Sequence, residues 1–587
     1  MKRRTFLTST ALAAASLPAG TLATAAARRP NVIVILTDDQ GYGDFSFTGN
    51  PLLRTPNMDR LGAEGVRLTN FHVTPVCTPT RGQLMTGCDA LHNLASAVTA
   101  GRTIIRRDMP TMAELFRTGG YATGLFGKWH LGHDYPDRPM DRGFDKAVWF
   151  KGWGMQSEIE FDNDYVNPRY LDGLTEKRAA KYCTNLWFDE AMGWMQQQAA
   201  AKQPFFAYIP TNAPHRPLWP PAESAQLYAG KVEADVAAFF AMIANIDDNV
   251  GRLDRWLKEK ALYDDTIVVF LTDNGTSLGS SVFDAGMREF KKSHYEGGHR
   301  VPCLLRWPNG AFENGLDVAT PTQVQDLLPT LLDLCDVSSR GAKFDGTSLL
   351  PLIRKKPFVD RMLVVQYGLR TRPIKYDAAV IWKQWRLQKG VELYDIDADR
   401  GQKTDRAAQH PDVVARMRDY YDTWWAKLEP GFSQAVPMLL GTPQQNPVML
   451  TSVDWWEVDL DHMEQVSLGG GGPRGGVWHV DARAAGRYRI ELRRWPFHTN
   501  TAIGSVGPRQ TINGRPLEHP QKLMHARTAV LSADGSEHSV AVTPESTGAT
   551  FELPLAAGRH QLQGWLRDAE GKDLCGTYYA LVTHLAG

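Results

Sequence analysis

Cysteine is scarce in this chain of 587 residues: six residues, at 77, 88, 183, 303, 335 and 575, are too few and too scattered for a disulfide framework. Their spacing also matches no zinc motif. Net charge is missing altogether, since 65 basic side chains face 65 acidic ones, so electrostatics points to neither nucleic acid nor a membrane surface. Beyond the N-terminus no apolar run is long enough to span a bilayer, and no stable membrane anchor is expected.

The N-terminus itself reads as an export signal. Lys2-Arg3-Arg4-Thr5-Phe6-Leu7 is a twin-arginine pattern, and residues 11–27 form an alanine-rich, mildly apolar stretch. Small residues at Ala23-Thr24-Ala25 and Ala25-Ala26-Ala27 offer cleavage points. We therefore expect a twin-arginine-type signal peptide over residues 1–27 and a soluble mature protein in the periplasm or outside the cell.

Through the first two thirds, short apolar β-branched runs alternate with helical patterns. Residues 31–36 (NVIVIL), 66–71, 122–126, 205–209, 267–271 and 303–306 read as strands. Helices are expected from 55–56 through 61 and near 111–117, 185–198 and 232–260. Buried strands with intervening helices define a layered α/β sheet over residues 28–360. Strand patterns at 363–367, 378–382 and 392–396, then an aromatic-rich helix at 411–428, suggest a small antiparallel subdomain over 361–432. From 433 to 587 the Gly469–Gly472 run, frequent turn residues and alternating segments at 488–492, 539–542 and 550–555 suggest an accessory all-β, sandwich-like domain.

Chemistry gathers just past the ends of the first-domain strands, where open α/β sheets place their ligands. Asp38-Asp39 follows the first strand, and Asp273-Asn274-Gly275 follows another. Adjacent carboxylates repel unless a cation relieves them, and an oxygen-rich set suits a hard cation such as calcium. Each pair by itself also suits a turn or a helix cap. Between them lies Cys77-Thr78-Pro79-Thr80-Arg81, with Pro79 fit for a first helical turn and Arg81 one turn beyond the thiol. A buried cysteine before an ordinary helix would read the same way. Gly127-Lys128-Trp129-His130-Leu131-Gly132 brings a fixed cation beside a titratable base. Asn212-Ala213-Pro214-His215 and Lys291-Lys292-Ser293-His294-Tyr295-Glu296-Gly297-Gly298-His299-Arg300-Val301-Pro302 complete the set.

In this order, these motifs resemble the type I, arylsulfatase-like sulfatases over roughly residues 30–430. The resemblance implies an alkaline-phosphatase-like fold and hydrolysis of sulfate monoesters to alcohol and sulfate. It implies that a formylglycine-generating enzyme oxidises Cys77 to formylglycine, and that one calcium ion is held by Asp38, Asp39, Asp273, Asn274 and residue 77. Arg81, Lys128 and Lys291 would supply positive charge to the sulfate, His130 would contact the formylglycine, and His215 would contact sulfate and leaving group. In the mechanism so implied, one hydroxyl of the hydrated aldehyde attacks sulfur and the other then loses its proton to His130 as sulfate departs. His215 or Lys291 would protonate the leaving oxygen. Glu296 and Arg300 are read as structural. A phosphomonoester or phosphonate hydrolase of the same superfamily and a non-catalytic carbohydrate-binding protein are the alternatives. The substrate, a sulfated polysaccharide or an aryl sulfate, is not specified by these motifs. His133, Trp149, Trp153 and Trp219 lie near the motif loops, where they suit stacking on sugar rings or packing.

Overall fold

The strand NVIVILT, Asn31–Thr37 (β1), is buried along its whole length, and its side chains sort by parity. Val32, Val34 and Leu36 enter one apolar core and Ile33 and Ile35 enter another, so the strand has helices on both faces. In this computed structural model residues 29–585 are described, apart from 156, 158, 161–162, 369–371, 461–465, 467–472, 508–510, 513–514 and 517–521. The expected signal peptide and the Gly469–Gly472 run lie outside the described residues.

The other strands of the main sheet are β2 (Val66–His72), β3 (Ala122–Lys128), β4 (Lys146–Phe150), β5 (Arg169–Asp172), β6 (Thr175–Arg178), β7 (Phe205–Pro210), β8 (Thr266–Thr272), β9 (Arg300–Arg306) and β10 (Leu316–Val318). Their spatial order is β10-β2-β9-β8-β1-β7-β3-β4-β5-β6, with the short strand Thr322–Gln323 also paired to β2. β1 runs parallel to β7 and β8, and β3 runs parallel to β7 and β4. β9 is antiparallel to both β8 and β2. One sheet edge thus collects the C-terminal ends of β1, β2, β3, β7 and β8 together with the start of β9. Leu84 and Met85 of the Cys77–Thr86 helix, Leu115 and Phe116 of Met112–Thr118, and Leu327 and Leu331 of Leu327–Cys335 cover one face. Met58 of Pro56–Ala63, Trp187 of Cys183–Ala200 and Ile246 of Ala234–Glu259 cover the other.

A four-stranded antiparallel sheet follows: Leu363–Val365, Ala379–Trp382, Trp385–Gln388 and Glu392–Asp395. The helix Pro411–Leu428 lays Met417, Tyr421 and Trp425 onto Val380, Leu387 and Leu393. Among the described residues, the rest of the chain forms a six-stranded, a four-stranded and a two-stranded sheet, with a core of its own that includes Trp455, Trp478, Ile490, Leu531, Leu562 and Val582. No helix among the described residues is long and apolar enough to cross a membrane.

Candidate active site

Cys77 is the first residue of a helix that ends at Thr86 and is buried at all ten positions. Its Sγ lies 3.2 Å from Asp38 Oδ1, 3.5 Å from Asn274 Oδ1 and 3.9 Å from Lys291 Nζ. Asp38 and Asp39 leave β1 and Asp273 and Asn274 leave β8. Because these strands pair in parallel register, Thr37 opposite Thr272, their exits are side by side. Candidate ligand atoms of Asp38, Asp39, Cys77 and Asp273 all lie within 4.8 Å of one another. Asn274 Nδ2 donates to Asp39 Oδ1 at 3.0 Å, which turns the amide oxygen toward residue 77. Asp39 takes a left-handed φ of 72° at this turn.

Three cations balance the three carboxylates. Arg81, one turn into the helix, donates to Asp273 Oδ2 at 2.7 Å and to the Lys128 carbonyl at 3.2 Å, and its Nη2 is 3.7 Å from Asp38. Lys128, the last residue of β3, reaches Asp38 Oδ2 at 2.5 Å. Lys291 pairs with Asp39, and His215 Nε2 lies 3.8 Å from the same carboxylate. His130 stands in the left-handed region, with φ 58°, and both its ring nitrogens are buried with no hydrogen-bond partner among the described residues.

These neighbours set the protonation states. Burial would raise Asp38, but Lys128, His215, Arg81 and Lys291 together hold its carboxyl well below the usual range. Asp273 is pushed up by burial and by Asp38, with Arg81 opposing. Burial, then Asp273 and Asp38, push the Cys77 thiol well above its ordinary value, so as a thiol it is a poor nucleophile. His215 is pushed down to about 4, chiefly by burial, and His130 is depressed by burial and by the Lys128 and Arg81 charges.

A cavity of about 110 Å³ opens beside the thiol, lined by Val76, Cys77, Val98, Lys128, His130, Trp153, His215, Lys291 and Lys292. The structure therefore gathers Cys77, Arg81, Lys128, His130, His215 and Lys291 with the Asp38, Asp39, Asp273 and Asn274 cluster. Of the four residues expected to contact substrate, Trp153 lines the cavity, its ring 4.9 Å from that of His215. Trp149 does not: it lies on β4, buried in the core with its indole N–H donating to Gly173 O at 3.0 Å, so it is a packing residue. Trp219 packs against the core on the other face, and His133 faces Asp134 and Asp454. Neither lines the cavity, because closeness along a loop does not fix where a side chain points. Val98 and Lys292 do line it. Val98 carries no chemical signal, and Lys292 is masked in sequence by its neighbour Lys291.

Carboxylates, fixed cations and a buried cysteine at the carboxyl edge of a layered α/β sheet define a hydrolase of anionic esters. A profile of the Sulfatase family matches residues 30–337. N-acetylgalactosamine-6-sulfatase of Mus musculus is 30% identical over 377 residues, covering 60% of this chain and 71% of the mouse protein. The ulvan-active sulfatase of Formosa agariphila is 30% identical over 366 residues, 57% of this chain and 68% of its own length. The crystal structure of Ps i-CgsB in complex with k-i-k-neocarrahexaose superposes with a TM-score of 0.62 at 28% identity, covering 68% of this chain and 92% of that one. The chain belongs to the Sulfatase family and is a sulfuric ester hydrolase. The family works with a formylglycine and a metal ion. The buried donor set here, three carboxylates and an amide oxygen beside residue 77, fits a hard, oxygen-seeking cation.

Proposed function

We propose that this chain is an exported, calcium-dependent sulfatase that removes sulfate from sulfated carbohydrate, with Cys77 the residue converted to formylglycine. One observation carries the reading: the Cys77 side chain belongs at once to the carboxylate cluster and to the wall of a cavity lined by Lys128, His130, His215 and Lys291. The carbohydrate class is supported by the relatives, which are named for N-acetylgalactosamine 6-sulfate and ulvan, and by the neocarrahexaose in the related crystal structure. Export is supported by the twin-arginine pattern at residues 2–7.

Asp38, Asp39, Asp273, Asn274 and residue 77 would hold the calcium ion. When bound, the ion and the hydrated aldehyde supply positive charge and an oxygen nucleophile. The chain's own groups do the rest. Lys128 and Lys291 bind sulfate oxygens and offset the charge that builds on them. Arg81, enclosed by Asp273, Asp38 and the Lys128 carbonyl, orients the carboxylates and the end of β3. His130, whose two ring nitrogens have no hydrogen-bond partner among the described residues, accepts the proton released at residue 77. His215 or Lys291, which both lie against Asp39, gives a proton to the departing alcohol. Cys77 is only 3% exposed within a wholly buried helix, so the formylglycine-generating enzyme has to act before the chain folds.

Mass spectrometry of the Cys77 peptide from the native host, with sulfate release from a panel of defined polysaccharides, tests this reading. Aldehyde in place of thiol, and loss of turnover in Cys77→Ala, are expected. Chelation should lower both activity and unfolding temperature, and calcium should restore them. Full activity in Cys77→Ala, or thiol throughout active protein, would sink the assignment.

A further inference from the structure

The C-terminal β-sandwich lies beyond residues 30–337, and none of its described residues lines the Cys77 cavity. Its residues 452–459 nevertheless dock onto the 96–102 loop, which carries Val98 into the cavity wall. The Gly101 N–H donates to Val453 O at 3.0 Å and the Glu457 N–H donates to Ala100 O at 3.2 Å. Thr99 Oγ1 donates to Asp459 Oδ1 at 2.6 Å. The Arg102 guanidinium lies 4.2 Å over the Trp456 ring and 3.2 Å from Glu457 Oε1.

The backbone of the loop depends on these contacts. Ala100 and Gly101 have φ of 62° and 67°. A left-handed conformation is unfavourable for a residue with a Cβ and persists only where its surroundings hold it. The carbonyl of Ala100 and the amide of Gly101 are both bonded to the sandwich. A second bordering loop, 130–138, is braced from the same side: Tyr135 N–H donates to Gln445 Oε1 at 2.7 Å, Gln445 Nε2 donates to Asp134, and His133 Nε2 lies 4.0 Å from Asp454.

We infer that the β-sandwich braces one wall of the sulfate-ester site: residues 452–459 fix the Val98 loop and so decide which alcohol moieties can enter beside the sulfate. The inference rests on the sulfated-carbohydrate reading. Arg102, Trp456 and Glu457 are positioning residues, acting through Val98. Lys128, His130, His215 and Lys291, the groups assigned to the sulfate and the proton transfers, lie at the end of β3 and in the connections that follow β3, β7 and β8. A small aryl sulfate, held mainly by those groups, depends little on the Val98 wall, whereas a sugar chain has to pass it.

The test uses the full-length, calcium-loaded enzyme and Trp456→Ala, Arg102→Gln and Arg102→Lys. Kinetics are compared on 4-methylumbelliferyl sulfate and on a sulfated oligosaccharide, with hydrogen exchange followed in residues 96–102. We expect Trp456→Ala and Arg102→Gln to lose roughly tenfold in kcat/KM on the oligosaccharide, mostly through KM, and less than about twofold on the aryl ester. Exchange should quicken in residues 96–102 alone, and Arg102→Lys should recover much of the loss, since an ammonium still meets the indole and Glu457. Equal losses on both substrates, unchanged oligosaccharide kinetics or unchanged exchange would each overturn the inference. If Trp456→Ala does not fold, Glu457→Gln, at a half-exposed position, carries the same comparison. A wild type that cleaves the aryl ester but no sulfated oligosaccharide would remove the carbohydrate reading, and the exchange data would still decide whether the sandwich fixes the loop.

Discussion

Glu296 follows Lys291 by five residues, and its buried carboxylate is bound up in an ion-pair network away from the walls of the Cys77 cavity. Its carboxylate accepts from Arg386 Nε at 2.6 Å and Arg300 Nη1 at 3.0 Å, beside a His72–His299 pair 3.0 Å apart. His299 also contacts His294 O at 2.9 Å, and Arg386 donates to Asn70 Oδ1 at 3.0 Å. Burial would raise the Glu296 carboxyl, but Arg386, His72, Arg300 and His299 hold it well below its usual value. Burial depresses both histidines, His299 to about 4. A depressed histidine refuses protons that the unfolded chain accepts near its ordinary value of 6.5. Stability is therefore full above that pH and falls as pH drops toward 4, by on the order of 3 kcal/mol for His299 alone. Glu296 adds a loss of the same sign below its ordinary value of 4.5. Urea midpoints measured from pH 7 to 4 should decline in this way, and His299→Asn should flatten the slope. An unchanged slope in that variant would refute the assignment to His299.

At the scale of elements, the strands buried on both faces announce themselves. NVIVIL and the run ending at Leu271 are continuous apolar stretches because each faces two cores. The strands Trp385–Gln388 and Gly558–Arg567 escape such reading. The first is only four residues long, and the second exposes every other residue through its N-terminal half, where Arg559 and Gln561 face solvent. Trp149 misleads for a related reason: it looks like a loop aromatic, but β4 pairs it with Gly127 of β3, inside the sheet. Gly127 is itself a demanding position. Its φ is 134°, and a Cβ there would lie 1.9 Å from the Pro210 carbonyl oxygen of the next strand. Gly127→Ala should force β3 off β7 and displace Lys128 and His130, costing about 1–3 kcal/mol of stability and, for a shift near 1 Å, about 100-fold in kcat/KM. Thermal unfolding and aryl sulfate kinetics would show both. Retained activity would mean that the strand end adapts.

Across the whole molecule, the site is built from segments that lie between residues 38 and 292, and their order along the chain is legible because each motif follows a strand. Less legible is how the appended sandwich meets the main domain, since that contact uses common residues with no motif. Arg107 is an example. It forks onto Asp137 at 3.1 and 2.7 Å and donates to the Pro437 carbonyl at 2.8 Å, where the chain enters the sandwich. Asp137 is raised by burial and held down by Arg107, and its backbone carbonyl accepts from the Trp129 indole at 2.9 Å, between Lys128 and His130. Arg107→Ala would leave this carboxylate buried without its cation. Because Arg107 is itself about a quarter exposed, solvent recovers part of the loss, and we expect about 2 kcal/mol of destabilisation rather than the 3–5 typical of a fully buried pair. Arg107→Lys should restore little, since an ammonium cannot reproduce the fork onto Asp137 while reaching Pro437. Urea unfolding of the two variants checks this directly. Full stability in the lysine variant would show that charge alone, and not the forked geometry, joins the two parts of the chain.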